Sequence, residues 1–134
     1  MKKDISFPKV EGVALAVVEE KDNLGKPVWT VYLVNTNQHK LDNVLVSSKG
    51  YGTKDGRDVR TSTLRHYLET VDGESYKKIE PIMEDLFGLT NEYWVSFYQE
   101  KQIYDKKYVF LAESIAQQNY INIPIMNKRG VMIK

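Results

Sequence analysis

The side chains best suited to chemistry lie in one short segment, where three hydroxyls at Thr61, Ser62 and Thr63 precede the imidazole of His66. A nucleophilic hydroxyl needs a general base within hydrogen-bonding reach and a third group that orients the base. On a strand, Ser62 and His66 share a face but lie about 13 Å apart, too far for such a pair. We therefore predict no catalytic residues and a non-enzymatic protein, in which the threonines pair across strands.

The same region carries a local excess of positive charge. Between residues 49 and 65 five basic side chains stand against two acidic ones, giving +3, whereas the remainder of the chain carries −2. Such a patch suits an anion, a nucleic acid or an acidic partner surface, and neighbouring tyrosines add surface for base stacking. The candidate binding residues are Lys49, Tyr51, Lys54, Arg57, Arg60, Arg65 and His66. The alternative is a solvated loop followed by an edge strand whose arginines prevent sheet-to-sheet pairing.

Three glycines in this segment, Gly50, Gly52 and Gly56, differ from a phosphate-binding loop in spacing and context. A dinucleotide fingerprint needs G-x-G-x-x-G between a strand and a helix, and here the third glycine comes one residue late. The Gly-Lys-Ser/Thr of a Walker loop is absent. The glycines instead predict a flexible loop over residues 49–58, followed by a strand over 59–68. Alternation on that strand places Arg60 with His66, and Arg65 on the opposite face.

Metal and acid–base chemistry find little support in the sequence. The chain has two histidines and no cysteine, and lacks the H-x-H and H-E-x-x-H spacings. Adjacent carboxylates such as Glu19 and Glu20 point to opposite faces of a strand, whereas catalytic carboxylates must converge in a pocket. We predict neither a metal site nor a cofactor.

Composition limits the class of protein. A chain of 134 residues suits a single domain, here 1–134, and 42% hydrophobic residues are typical of a globular core. The net charge of +1 argues against a polyanion-binding protein as a whole. The longest apolar run, Val13 to Val18, is too short to span a bilayer, and Asp4 and Pro8 interrupt any signal sequence. We expect a cytoplasmic protein without membrane association.

Short β-branched and aromatic runs, separated by turn residues, predict eight or nine strands. Pro81 to Phe87 has the i,i+4 apolar pairs of one short helix. This pattern favours an all-β fold, an antiparallel, immunoglobulin-like β-sandwich. The strands are predicted near residues 12–20, 28–35, 44–48, 59–68, 75–80, 92–100, 102–111, 120–126 and 131–133.

Aromatic residues occupy both faces of one predicted strand. Alternation sends Trp94 and Tyr98 to one side and Tyr93 and Phe97 to the other. Only one of these faces can line the core, so the other is expected to be covered by a second protomer or a partner. This pattern predicts a protein-interaction or self-association module; the basic segment supports the alternative of an anion- or RNA-binding protein.

Five segments of the chain resemble a family of short, uncharacterised bacterial β-rich proteins. They are VYLVN (31–35), VLVSSKGY (44–51), TSTLRH (61–66), SYKKIE (75–80) and YDKKYVF (104–110). Some members of that family carry the label of a phenylalanyl-tRNA synthetase subunit. This chain does not support the label, because it has no class II motif and is too short to hold ATP, an amino acid and tRNA. The resemblance implies no site residues.

Overall fold

The structure, a computed structural model, describes residues 8–134. The predicted interruption of a signal sequence at Asp4 lies outside these residues. The described part forms strands and two short 3-10 turns, and contains no α-helix. The ten strands are β1 Val13–Lys21, β2 Pro27–Asn35, β3 Leu41–Lys54, β4 Arg57–Arg60, β5 Leu64–Val71, β6 Ser75–Ile82, β7 Thr90–Gln99, β8 Gln102–Phe110, β9 Ile121–Ile123 and β10 Lys128–Ile133.

The strands form two antiparallel sheets, which confirms the predicted all-β sandwich. Sheet A has the order β6-β2-β1-β10-β9. Sheet B has the order β4-β3-β7-β8, and β5 pairs with β3 beyond the end of β4. An immunoglobulin domain arranges its strands as ABED and CFG, so this sandwich differs from it in strand order, and the first described strand pairs with the last.

The core lies between the sheets and is built by the strands with the clearest sequence signals. Leu15 and Val17 of β1 and Val31 and Leu33 of β2 are fully buried against sheet B. The other face of β1 is also buried, because the segment around Met126 covers it and forms a second apolar cluster. This explains the apolar run on both faces of β1 that predicted a buried strand.

The predicted loop over residues 49–58 is wrong. Strand β3 continues to Lys54, and a two-residue turn at Asp55 and Gly56 leads directly into β4. Both turn residues have positive φ, 54° and 76°, which the tightest hairpin turns require and which Asp-Gly supplies. Gly50 lies within β3, opposite Asn91 of β7. A Cβ at this position would lie only 3.2 Å from the Asn91 side chain. The glycine therefore permits close packing and not flexibility.

The predicted continuous strand over 59–68 is interrupted at residues 61–63. The N–H of Thr61 donates to the carbonyl of Gly50, and its hydroxyl accepts from the N–H of Gly50, so a side chain replaces part of the ladder. The interruption changes which residues share a face. Arg60 lies opposite Tyr51 and Arg65 opposite Ser47, so both arginines face outward and His66 faces inward, unlike the prediction.

The predicted helix over residues 81–87 is also wrong. Strand β6 runs through Pro81 to Ile82, and only Glu84–Leu86 form a 3-10 turn. Pro81 is tolerated in β6 because this strand lies at the edge of sheet A, where one side of the backbone needs no partner. A second 3-10 turn, Gln117–Asn119, lies between β8 and β9.

Candidate functional sites

The first candidate site is the outer face of sheet B, the face turned away from the core. Directly opposed residues of neighbouring strands form rows across this face. One row runs Arg65, Ser47, Trp94 and Lys107. The next runs Tyr67, Leu45, Ser96 and Asp105, and Tyr98 follows beside Ile103.

Large apolar side chains are unusually exposed on this face. Their exposed fractions are Leu45 51%, Tyr67 56%, Trp94 45%, Tyr98 43% and Ile103 47%. The rows place Tyr67 beside Leu45 and Tyr98 beside Ile103, whereas Trp94 lies between Ser47 and Lys107. A face that exposes several large apolar side chains in this way is a candidate interaction surface. Alternation had predicted that Trp94 and Tyr98 share one face of β7, and in the structure this face points outward.

Charges of both signs accompany the apolar patch. The carboxylate of Glu92 lies 3.5 Å from Lys49 Nζ and 4.0 Å from Lys107 Nζ, and it accepts a 3.2 Å hydrogen bond from the Tyr51 hydroxyl. These contacts bring together strands β3, β7 and β8. The two lysines are therefore partly neutralised by this shared carboxylate.

A concave region of about 680 Å³ lies at one end of this face, lined by Lys49, Tyr51, Arg60 and Glu92 among others. Arg65 lies further along the same face, beside Trp94 in a shallower depression. Four of the seven predicted binding residues thus lie on the same face of sheet B, three of them around the concave region and Arg65 further along.

The remaining three predicted residues lie elsewhere. Lys54 and Arg57 lie opposite each other on β3 and β4, beside the exposed β3–β4 turn. His66 faces the interior and belongs to the second candidate site.

The second site is a buried polar cluster around Glu80. Its Oε1 lies 2.7 Å from His66 Nε2 and accepts a 2.9 Å hydrogen bond from the Ser48 hydroxyl. Its Oε2 accepts a 2.9 Å hydrogen bond from the Tyr93 hydroxyl. Glu80 itself is only 9% exposed. The cluster joins β3, β5 and β7 of sheet B to β6 of sheet A.

A β-bulge turns Glu80 inward. Val31 pairs with Glu80 but its neighbour Tyr32 pairs with Lys78, so Ile79 is an extra residue on β6. As a result Ile79 and Glu80 are both buried, against the alternation of an ordinary strand. Bulges are frequent beside functional sites because they redirect a side chain.

The hydrogen-bond pattern of this cluster excludes a Ser–His–acid relay as arranged. Ser48 and His66 each bond to the carboxylate, so no histidine nitrogen lies ready to accept the serine proton. Burial, together with the adjacent Glu80 carboxylate, raises the pKa of Tyr93 well above its usual range, so its hydroxyl remains a donor. The cluster is suited to binding and positioning.

Sequence reasoning missed Ser48, Glu80 and Tyr93 as site residues. Strict alternation along SYKKIEPI places Glu80 outward with Tyr76 and Lys78. The available signal was the spacing of Ile79 and Ile82, which lie three residues apart and cannot both face the core of a regular strand, so that a bulge between them is indicated.

Other types of site find no support among the described residues. No three His, Asp or Glu side chains there converge to hold a metal ion, and no helix is both long and apolar enough to cross a membrane. A comparison of the chain with models of protein families gives no match. A comparison with curated proteins gives none either.

Proposed function

We propose that this chain is a cytoplasmic, non-enzymatic interaction module that self-associates through the outer face of sheet B. The observation that carries the proposal is the group of five exposed apolar side chains on that face, the outermost of them on β5 and β8. Covering them with a second copy removes the unfavourable hydration of these apolar side chains. A stable interface of this type buries at least ~1,000 Å² in total.

A second copy is favoured over other occupants by the charges of the face. A two-fold symmetric interface brings the same patch together from both copies, so the patch must be complementary to itself. Here Arg65 and Lys107 end one row, and Asp105 ends the next. Opposite charges one row apart can pair across a two-fold axis, whereas a polyanionic partner would favour cations alone.

The sheet face is favoured over an open sheet edge. Strand β8 is one edge of sheet B, opposite the edge formed by β4 and β5, and it carries the consecutive charges Asp105, Lys106 and Lys107. Charged residues on an edge, lysine above all, oppose the addition of another strand. Self-association therefore uses the side chains of the face and leaves the edge in water.

Replacing Trp94 by glutamate is expected to weaken self-association by at least ~100-fold, because loss of a central tryptophan typically costs more than ~2 kcal/mol and the new charge must also be desolvated. Sedimentation velocity over a concentration series measures the change. Leu24→Glu is the matched control, since Leu24 is 83% exposed in a turn far from this face. A wild-type protein that remains monomeric at the highest soluble concentration contradicts the proposal.

The second candidate function is binding of an anion or RNA. It is supported by the concave region of about 680 Å³, which Lys49 and Arg60 both line together with the stacking surface of Tyr51. Within residues 8–134 no carboxylate lies within 4.0 Å of the guanidinium of Arg60 or Arg65. These two arginines therefore have the capacity to contact phosphates.

If this second function holds, the double variant Arg60→Glu/Arg65→Glu is expected to abolish binding to a single-stranded RNA oligonucleotide, because phosphate contacts dominate such affinities. Fluorescence anisotropy at low salt measures the binding, and added salt should weaken it steeply. Lys21→Glu, on sheet A, is the control for a general change in net charge. Equal binding by wild type and double variant removes the RNA hypothesis and leaves the self-association proposal untouched.

A further inference from the structure

We propose that the cavity beside Glu80 is a binding site for a primary alkylammonium group. The cavity opens between the two sheets, where the interruption at residues 61–63 separates β4 from β5. It has a volume of about 140 Å³ and is distinct from the outer face of sheet B. The residues that matter here are Ser48, Leu64, Glu80, Leu86 and Asn91.

The polar atoms of this cavity that can still form hydrogen bonds are acceptors. The Asn91 amide donates to the carbonyls of Leu86 and Leu89, at 2.9 and 3.2 Å, which fixes its orientation. No donor among the described residues reaches its Oδ1. The Ser48 hydroxyl uses its single proton on Glu80 and keeps its own lone pairs. A ligand that fits must therefore bring donors.

The carboxylate also lacks a permanent positive partner. Among residues 8–134 no lysine or arginine forms an ion pair with Glu80, and its partner His66 is charged only when protonated. Lys49 lines the rim of the cavity, but its ammonium group pairs with Glu92 on the outer face. A buried carboxylate is strongly favoured by a charged and hydrogen-bonded counterion, which a neutral alcohol cannot supply.

The apolar residues of the cavity suit a short aliphatic chain behind the ammonium. Leu86 lines the interior beside the 3-10 turn, and Leu64, which is 50% exposed, stands at the opening. The volume of about 140 Å³ corresponds to four or five waters at ~30 Å³ each. That space accommodates a chain the size of n-butylammonium, whose three N–H groups match the acceptors.

The cavity is therefore expected to bind an alkylammonium ion more tightly than a neutral alcohol of the same size. A titration of the full chain with n-butylammonium chloride, followed by ¹H–¹⁵N NMR, is expected to give saturable shifts at the amides of Gly50, Thr61 and Asn91. At equal ionic strength, 1-butanol should bind at least tenfold more weakly, because it lacks the charge. Equal affinity for the two compounds, or shifts confined to the outer face of sheet B, overturns the proposal.

Two variants and a control complete the test. Glu80→Gln keeps the shape and an acceptor but removes the charge, and should weaken n-butylammonium binding at least tenfold. Leu64→Trp should block the opening and abolish binding while the urea unfolding midpoint stays unchanged, so the test stands even if Glu80→Gln does not fold. Glu100→Gln, in the exposed β7–β8 turn, is the control and should bind as wild type does. Wild-type binding by Leu64→Trp, or by a folded Glu80→Gln, overturns the proposal.

Discussion

Gly130→Ala is expected to lower the free energy of unfolding by about 3 kcal/mol, a large part of the stability of a small domain. Gly130 lies in β10 opposite Val18 of β1 and Ile121 of β9. A Cβ at this position would lie 2.2 Å from the carbonyl oxygen of Val17. This contact is with backbone in the middle of sheet A, so only a displacement of paired strands can relieve it. Urea denaturation followed by tryptophan fluorescence measures the loss.

Gly88→Ala is the matched control for this substitution. Its Cβ would meet only the flexible side chain of Glu113, at 3.5 Å, and no positive φ is involved. The change should be neutral, or stabilise by a few tenths of a kcal/mol, because alanine restricts the unfolded chain. Equal losses in the two variants would contradict the contact with Val17 as the cause.

Glu80→Ala is expected to cost about 3–5 kcal/mol, because it leaves the hydroxyls of Ser48 and Tyr93 buried without their acceptor and opens a cavity between the sheets. Glu80→Gln should cost less, about 1–3 kcal/mol, since the amide oxygen still accepts from the Ser48 hydroxyl and its N–H₂ can donate to the oxygen of Tyr93, so that only the Tyr93 proton loses its acceptor. Thermal and urea unfolding of the two variants together separate the loss of hydrogen bonds from the loss of charge.

Glu92→Ala provides the comparison with a carboxylate of similar burial, since the Glu92 side chain is 16% exposed and that of Glu80 is 11% exposed. Glu92 contacts two lysines and a tyrosine, but both lysine side chains are 51% exposed, and surface ion pairs of this type contribute at most ~1 kcal/mol. A similar cost for Glu92→Ala and Glu80→Ala would show that burial of the partners Ser48 and Tyr93 is not what makes the contacts of Glu80 valuable.

The sequence predicts best those strands whose side chains decide their environment locally. Strands β2, β7 and β8 are rich in β-branched and aromatic residues and were located within a few residues. The error over 49–58 has a different origin, since Gly50 serves packing against Asn91, which lies 41 positions later in the chain. In a sequence, a glycine that permits close packing cannot be distinguished from a glycine that forms a turn until the neighbouring strand is known.

The predictions for the candidate sites also succeed on regular strands and fail on irregular ones. Alternation correctly placed Trp94 and Tyr98 on one face and Tyr93 and Phe97 on the other, because β7 is regular along its whole length. Alternation failed for Arg60, since the interruption at 61–63 changes the face, and for Glu80, since the bulge at Ile79 does the same. Each failure arises where a tertiary contact breaks the period of two on which the prediction depends.

The pairing of β1 with β10 has a consequence for folding during synthesis. Sheet B consists of β3, β4, β5, β7 and β8, all within residues 41–110, so its strands can pair while the chain is still being made. Sheet A is completed later: β1 can pair with β2 early, but Val17 must wait for Val131 to be synthesised. Until then one edge of β1 and the apolar face that the segment around Met126 covers stay open, and exposed apolar strands of this kind favour aggregation of a nascent chain.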